Sequence, residues 1–257
     1  TLGAFTKYPK ASIPIRPSSH VSDKKFGFFQ EQQHDFFEVA DNLGTKKNDN
    51  KILRHPLAYL VEAADDICYT LIDFEDGINL GWISEDYALE YLINLVRDRI
   101  DSKKYKKLST KKDRLSYLRA LSINTLILEV SEIFMNNEQE ILSGKLKESL
   151  IKKSKYKAQM EDIINLSILK IYQAPEVIDK ELKGYQVINR LLDVFVGATI
   201  RNSKNLATAF DNLSLSCLPK NLINYESDDT YKILLNVSSY IASLTDGKAL
   251  EWYNKMS

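Results

Sequence analysis

Glycine, proline and cysteine are all scarce in this chain. Its 257 residues include only 9 glycines and 6 prolines, which excludes a turn-rich sandwich or barrel and favours long helices. The two cysteines, Cys68 and Cys217, form no Cys-x-x-Cys pair, which argues against a disulfide framework or a zinc knuckle. Such cysteine usage is typical of a reducing compartment, and we expect a cytoplasmic protein.

The sequence also lacks a run of apolar residues long enough for a membrane span and an excess of one charge, and we expect no secretory leader. No apolar run reaches the length of a transmembrane helix, so we expect no membrane association. Lys plus Arg and Asp plus Glu number 35 each, so no net charge steers the whole molecule to nucleic acid. Because the first residue is Thr1 rather than Met, we expect a piece of a longer protein.

Hydrophobic residues make up 44% of the chain and recur at helical spacing along most of it. This periodicity predicts an all-α fold with one multi-helix domain over 1–257, because no repeat or low-complexity linker divides the chain. Prolines and serines predict an irregular segment over 1–25. The predicted helices cover 29–43, 56–77, about 85–100, 111–138, 158–172, 178–200, 205–214, 229–244 and 247–255.

The helix predicted from Pro56 to Gly77 carries six acids and no base. Carboxylates four residues apart on a helix repel each other, so we expect a cationic partner here. Asp65, Tyr69 and Asp73 are spaced by four and follow one face of the helix. Such a row can hold a metal ion at one end and a hydroxylated ligand at the other. The alternative is an acidic, solvated helix face.

Basic residues are concentrated in two runs. Nine bases and three acids lie between Arg97 and Arg114, and a second basic run covers 145–157. Each run is either a solvated helix face or a surface that binds an anion. The anion would be the backbone of single-stranded DNA or a nucleotide effector.

Several segments carry a specific resemblance to a known enzyme family. They are RHPLAYLVEAADDICY over 54–69, DFEDG over 73–77, TLGAFTKYP over 1–9, KFGFF over 25–29 and YIASLTD over 240–246. Together they resemble the bacterial dGTP triphosphohydrolases, or dGTPase-like dNTPases, a branch of the HD-domain phosphohydrolases. The resemblance implies an HD-domain-like helical enzyme. It would cleave a deoxynucleoside triphosphate between the 5′ oxygen and the α-phosphorus, releasing deoxynucleoside and triphosphate.

The resemblance also implies a divalent metal ion (Mg, Mn or another first-row ion) that polarises the α-phosphate. In this family a His, a His-Asp pair and a later Asp hold the metal, and the later Asp matches Asp65. The other ligands would precede Thr1, so we expect the chain to be the C-terminal part of the enzyme and inactive alone. An alternative within the chain is the set His20, His34, Asp35 and Asp65.

Four further residues match the substrate site of the family. The resemblance implies that Lys7 approaches the phosphates and that Tyr8 lies beside the sugar. Tyr69 would pack where a ribose 2′-hydroxyl would collide, and Asp73 would accept a hydrogen bond from the 3′-hydroxyl. Family members carry arginines shortly before the Thr-Asp segment, whereas here the only base close upstream is Lys232.

Two other functions stay open at this point. One is an HD-domain phosphodiesterase or nucleotidase, and the other is a helical module that binds a nucleotide or nucleic acid without hydrolysing it. The resemblance further implies a homo-oligomer. The predicted helix from Lys111 to Asn137 supports that expectation, because its apolar residues cover more than one face.

Overall fold

A computed structural model describes residues 2–12, 22, 24–47, 51–220, 222 and 229–256. Within these ranges the chain forms α-helices and no β-strand, which confirms the predicted all-α class. The HD-domain-like arrangement of the helices stays a prediction. The helices are α1 Leu2–Phe5, α2 Gln33–Asn42, α3 Pro56–Asn79, α4 Glu85–Val96, α5 Ser102–Lys107, α6 Lys111–Asn136, α7 Glu138–Leu142, α8 Lys157–Ser167, α9 Pro175–Ser203, α10 Ala209–Ser216, α11 Thr230–Ser243 and α12 Asp246–Met256.

The chain divides into two compact units, one reaching to Ala174 and the other beginning at Pro175. In the first unit α3, α4, α6 and α8 pack around a core that includes Tyr59, Phe74, Leu118, Leu126 and Leu150. In the second unit α9 packs against α10, α11 and α12 around Leu191, Phe195 and Val237. No change of composition marks this boundary, and a single domain over 1–257 stays a prediction.

Helix α3 begins where the sequence predicts and ends two residues later. The backbone N–H of Leu57 donates to His55 Nδ1 over 3.2 Å, and Pro56 occupies the first helical position, where its missing N–H costs nothing. The prediction that Gly77 ends the helix was wrong. A Cβ at Gly77 would lie 2.5 Å from Ile171 Cδ1, so this glycine allows close packing inside the helix. The chain turns at Gly81, whose φ is +77°.

Three short helices lie outside the predicted ones. The prediction of an irregular segment over 1–25 was wrong at α1, where Ala4 is buried and Gly3 packs against Leu43 and His55. Neither α1, α5 nor α7 exceeds six residues, so none contains enough turns to produce a periodic apolar pattern. Tertiary contacts, rather than local propensity, stabilise helices this short.

Helix α10 begins at Ala209, four residues later than predicted. Thr208 and Asp211 form a reciprocal capping box, in which the Thr208 hydroxyl accepts from the Asp211 N–H and the Asp211 carboxylate accepts from the Thr208 N–H. Asn205, with φ of +56°, separates this helix from α9. A cap of this kind fixes the first residue of a helix more strongly than hydrophobic periodicity does.

The predicted helix over 158–172 changes geometry near its end. Helix α8 passes directly into a π-helical turn, Ile168–Tyr172, in which the N–H of Gln173 donates to the carbonyl of Ile168 over 3.2 Å. The wider turn places Ile171 against Gly77 of α3 and brings Tyr172 to the same helix. Single π-helical turns of this kind are frequent at functional sites.

Two expectations from the sequence concern membrane-spanning helices and the two cysteines, and the described residues bear on both. None of the helices there combines the length and the apolar character that a membrane crossing requires. Cys68 is exposed, Cys217 is half-buried, and both thiols are free.

Candidate functional site

Asp65, Tyr69 and Asp73 lie on the side of α3 that faces away from the core of the first unit. Asp65 is exposed, 56% of Tyr69 is exposed, and Asp73 is half-buried. The row covers two helical turns, about 12 Å along the helix axis. The structure therefore places these predicted residues together on one accessible face.

Tyr172 joins the end of this row from the π-helical turn. Its hydroxyl donates to Asp73 Oδ2 over 2.6 Å, and its ring stacks on Tyr69 with 5.8 Å between centroids. Burial, together with hydrogen bonds to Asp73 and Tyr69, raises the pKa of the Tyr172 hydroxyl well above its usual range. The phenol therefore stays protonated and keeps one Asp73 oxygen occupied, while the other oxygen can accept a ligand hydroxyl.

Lys7 lies beside the first part of α3, where Glu62 receives two cations. The Lys7 ammonium contacts Glu62 Oε1 at 2.9 Å, and Arg54 Nη1 donates to Glu62 Oε2 over 2.6 Å. The Arg54 Nε–H also donates to the backbone carbonyl of Lys7 over 2.6 Å. Lys7 is thus held at both its backbone and its ammonium.

Arg54 is the most deeply buried cation of this group. Its side chain is 0% exposed and that of Glu62 is 7% exposed, whereas Lys7 keeps 36% of its side chain in solvent. The guanidinium lies over the rings of Tyr59 and Tyr8, 4.8 and 5.7 Å from the centroids. Removing one partner of such a buried ion pair costs about 3–5 kcal/mol, because the other charge remains in a low-dielectric environment.

The electrostatics keep Lys7 charged. Burial alone would lower the pKa of its ammonium, but the hydrogen bond and ion pair with Glu62 outweigh burial and raise that pKa. Burial raises the pKa of the neighbouring Asp66 carboxyl above its usual range, although the Lys7 charge opposes this effect. A permanent cation at this position is suited to an anionic ligand such as a phosphate.

The segment that carries Lys7 and Tyr8 is irregular and packs tightly against its neighbours. The Lys10 N–H donates to the Tyr8 carbonyl, and the Gly27 N–H donates to the Lys10 carbonyl. A Cβ at Gly27 would lie 1.9 Å from the Tyr8 carbonyl oxygen, a distance that no side chain tolerates. Glycine is therefore needed at position 27 to let the two backbones approach.

The cationic partners expected for α3 come from elsewhere in the first unit. Arg54 and Lys7 contact Glu62, and Arg119 of α6 forms an ion pair with Glu75. Among the residues that the structure describes, no such partner contacts Asp65, which is exposed and available to an added cation. Glu62 and Glu75 of α3 are therefore paired within the protein, while Asp65 faces solvent.

A metal site is not complete within the described residues. There, no three His, Cys, Asp or Glu side chains come close enough to hold an ion. In the alternative set, His34 and Asp35 are almost fully exposed and 3.6 Å apart, and His20 lies outside the described residues. Asp65 alone supplies one carboxylate, which is too few ligands for a stable site.

Each of the two basic runs is partly paired with acids. In the first run Lys111 pairs with Asp86, and in the second Lys155 pairs with Glu129. The hydrogen bond with Glu129 raises the pKa of the Lys155 ammonium. The positive charge of Arg99, in the first run, has a smaller effect that lowers this pKa. Binding of single-stranded DNA or a nucleotide effector at these runs stays a prediction.

Three residues of this site were not predicted from the sequence. Arg54 and Glu62 are part of the motif over 54–69, but nothing in that motif indicates that they pair around Lys7. Tyr172 is 99 positions from Asp73, and no local pattern connects the two. The only available signal for Glu62 was its position in a helix that contains no base.

Comparison with known proteins gives several relatives, although no family model matches the chain. The chain is similar to a deoxyguanosinetriphosphate triphosphohydrolase-like protein of Synechocystis sp., with 32% identity over 263 residues. A protein of the same name from Listeria monocytogenes is 29% identical over 280 residues. Both alignments cover 100% of this chain, which spans 58% and 59% of the two relatives. A deoxyguanosinetriphosphate triphosphohydrolase of Yersinia pestis is 27% identical over 76% of the chain.

Proposed function

Because the chain is homologous along its whole length to deoxyguanosinetriphosphate triphosphohydrolase-like proteins, we propose that the complete protein hydrolyses a deoxynucleoside triphosphate. Water would attack the α-phosphorus, the bond from phosphorus to the 5′ oxygen would break, and deoxynucleoside and triphosphate would leave. The observation that carries this proposal is the order of groups along α3. Lys7 contacts Glu62. Tyr69 lies about 10 Å further along the helix axis than Glu62, and Asp73 lies one turn beyond Tyr69.

Each end of this arrangement fits one part of the substrate. The partly exposed Lys7 ammonium has the charge to bind phosphate oxygens. Asp73, with one oxygen held by Tyr172, can accept a hydrogen bond from a sugar 3′-hydroxyl. The exposed Tyr69 ring offers an apolar surface beside it, which suits a sugar that lacks a 2′-hydroxyl.

We further propose that a divalent metal ion binds at Asp65, between these two ends. Within the described residues no three His, Cys, Asp or Glu side chains come together at Asp65 to hold an ion, and the chain spans only 58% of its Synechocystis relative. The remaining ligands would belong to the part of the protein that this chain does not span. Residues 1–257 alone are therefore expected to be inactive.

Product analysis with the complete protein tests this function. dGTP and the other deoxynucleoside triphosphates are incubated with Mg²⁺ or Mn²⁺ in ¹⁸O-labelled water. The products are then separated, and the molecular mass of each is measured. We expect deoxynucleoside and triphosphate, with the label in the triphosphate and no reaction after chelation. Release of a nucleoside monophosphate would instead indicate the phosphodiesterase or nucleotidase alternative, and binding without hydrolysis would indicate a binding module.

A further inference from the structure

We propose that Arg54 is a positioning residue for Lys7, which fixes the direction in which the lysine ammonium meets a polyphosphate. This inference rests on the proposed function, in which Lys7 contacts the phosphates. Arg54 donates to the Lys7 carbonyl and to Glu62, and Glu62 in turn holds the Lys7 ammonium. Arg54 therefore fixes both ends of the residue while it remains buried.

Lys7 needs such support because of where it lies. It follows α1 in a segment without regular helix, and its side chain has several rotatable bonds that a bound phosphate would have to immobilise. Fixing these bonds before the ligand arrives reduces the entropic cost of binding. Two hydrogen bonds that Arg54 donates, each 2.6 Å long, supply that restraint.

The guanidinium is suited to this role by its shape. Its Nε–H and Nη1–H point in fixed directions within one plane, and here they reach two acceptors that belong to different parts of the chain. A lysine at position 54 would keep the charge, but its single ammonium lacks this fixed pair of directions. The rings of Tyr8 and Tyr59 further hold the plane of the guanidinium.

The charges leave Lys7 able to bind a ligand. Arg54, Glu62 and Lys7 together carry one net positive charge, so Glu62 orients the ammonium without cancelling the local field. The ammonium has three N–H donors and, among the described residues, uses one on Glu62, which leaves two for phosphate oxygens. Stability alone does not account for the buried pair, because apolar side chains of similar volume stabilise a core equally well.

Calorimetry of the complete protein with inorganic tripolyphosphate tests this inference, with deoxyguanosine as the second probe. We compare the wild type with Arg54→Lys, Lys7→Ala and the double variant. We expect Arg54→Lys to weaken tripolyphosphate binding at least about threefold and to leave deoxyguanosine binding unchanged. In the Lys7→Ala background the same Arg54→Lys change should have no effect, since Arg54 acts through Lys7.

A second variant tests the same inference in case Arg54→Lys does not fold. Arg54→Met combined with Glu62→Met replaces the buried pair by apolar side chains and keeps the net charge of the group, so a loss of tripolyphosphate affinity would reflect lost positioning. Arg201→Lys is the matched control, because Arg201 likewise donates two side-chain hydrogen bonds, in its case both to the Asp211 carboxylate of the second unit. Arg201→Lys should leave the affinities for tripolyphosphate and for deoxyguanosine unchanged.

The outcomes separate the two proposals. If Lys7→Ala binds tripolyphosphate as the wild type does, both the role of Lys7 in the proposed function and the positioning role of Arg54 are wrong. If Lys7→Ala binds weakly but the effect of Arg54→Lys persists in that background, only the positioning role is overturned. Wild-type affinity in the folded Arg54→Met/Glu62→Met variant would overturn it as well.

Discussion

The hydroxyl of Tyr172 donates a 2.6 Å hydrogen bond to Asp73 Oδ2, although 99 positions separate the two residues. This bond joins the π-helical turn to α3 and fixes the carboxylate that we propose reads the sugar. Since the Tyr172 ring also stacks on Tyr69, one side chain supports both residues at this end of the site.

Removing the Tyr172 hydroxyl should weaken recognition of the 3′-hydroxyl. In Tyr172→Phe the Asp73 carboxylate loses its fixed donor and can rotate, so the preference for a deoxynucleoside triphosphate over its 2′,3′-dideoxy analogue should fall by up to about tenfold. The measurement is the ratio of kcat/KM for the two substrates. Tyr91→Phe, which removes a hydroxyl that donates to the Tyr87 hydroxyl, serves as the control. An unchanged ratio in Tyr172→Phe would contradict this role.

Tyr69→Ala should admit ribonucleotides. The wild type is expected to discriminate against GTP by roughly 1–3 kcal/mol, because in the proposed function the Tyr69 ring would occupy the space that a 2′-hydroxyl needs. The variant should lose that discrimination while it keeps its preference for a 3′-hydroxyl. Relative kcat/KM values for GTP and dGTP test this expectation. Efficient hydrolysis of GTP by the unmodified enzyme would refute it.

Asp65 and Asp66 should differ in metal binding. Asp65 is exposed on the same row as Tyr69 and Asp73, whereas Asp66 is half-buried beside Lys7. We expect Asp65→Ala in the complete protein to lose bound metal and Asp66→Ala to retain it. Elemental analysis after gel filtration gives the metal content of each variant. Equal loss in both, or loss in Asp66→Ala alone, would show that Asp65 is not the ligand.

Gly27→Ala should destabilise the segment that carries Lys7. The added methyl group would collide with the Tyr8 carbonyl, and we expect a loss of about 1–3 kcal/mol in unfolding free energy, together with weaker tripolyphosphate binding. Gly184→Ala is the control, because nothing lies within 4 Å of a Cβ there. Within helix α9 that change should be neutral or stabilising by up to about 1 kcal/mol. Thermal unfolding of both variants distinguishes a steric effect from a general glycine effect.

Helix α6 should take part in self-association. Ile127, Leu128 and Met135 are at least half exposed on this helix, while Leu118 and Leu126 are buried in the core. We expect the complete protein to form a homo-oligomer at micromolar concentration and Leu128→Glu to weaken it, because a carboxylate is costly in an apolar interface. Light scattering with and without nucleotide provides the measurement. A monodisperse monomer under every condition would refute the prediction.

Sequence reasoning was most successful where structure is local. The apolar period and Pro56 predicted α3 within two residues of its observed end, and the four-residue spacing placed Asp65, Tyr69 and Asp73 on one face. Lys7 and Tyr8 were predicted as substrate-site residues from the family resemblance alone. The pairing of Arg54 with Glu62 and the contact of Tyr172 with Asp73 depend on how distant elements pack, and no spacing in the sequence encodes such contacts.

The π-helical turn also bears on how this protein tolerates insertions and deletions. A π-helical turn holds one residue more than the α-helix it interrupts, and each residue turns an α-helix by about 100°. Deleting a single residue between Ile168 and Ile171 would restore regular winding and swing the Tyr172 phenol away from Asp73. Among homologues, the length of this short stretch should therefore vary less than that of the surface loops, even where its side chains differ.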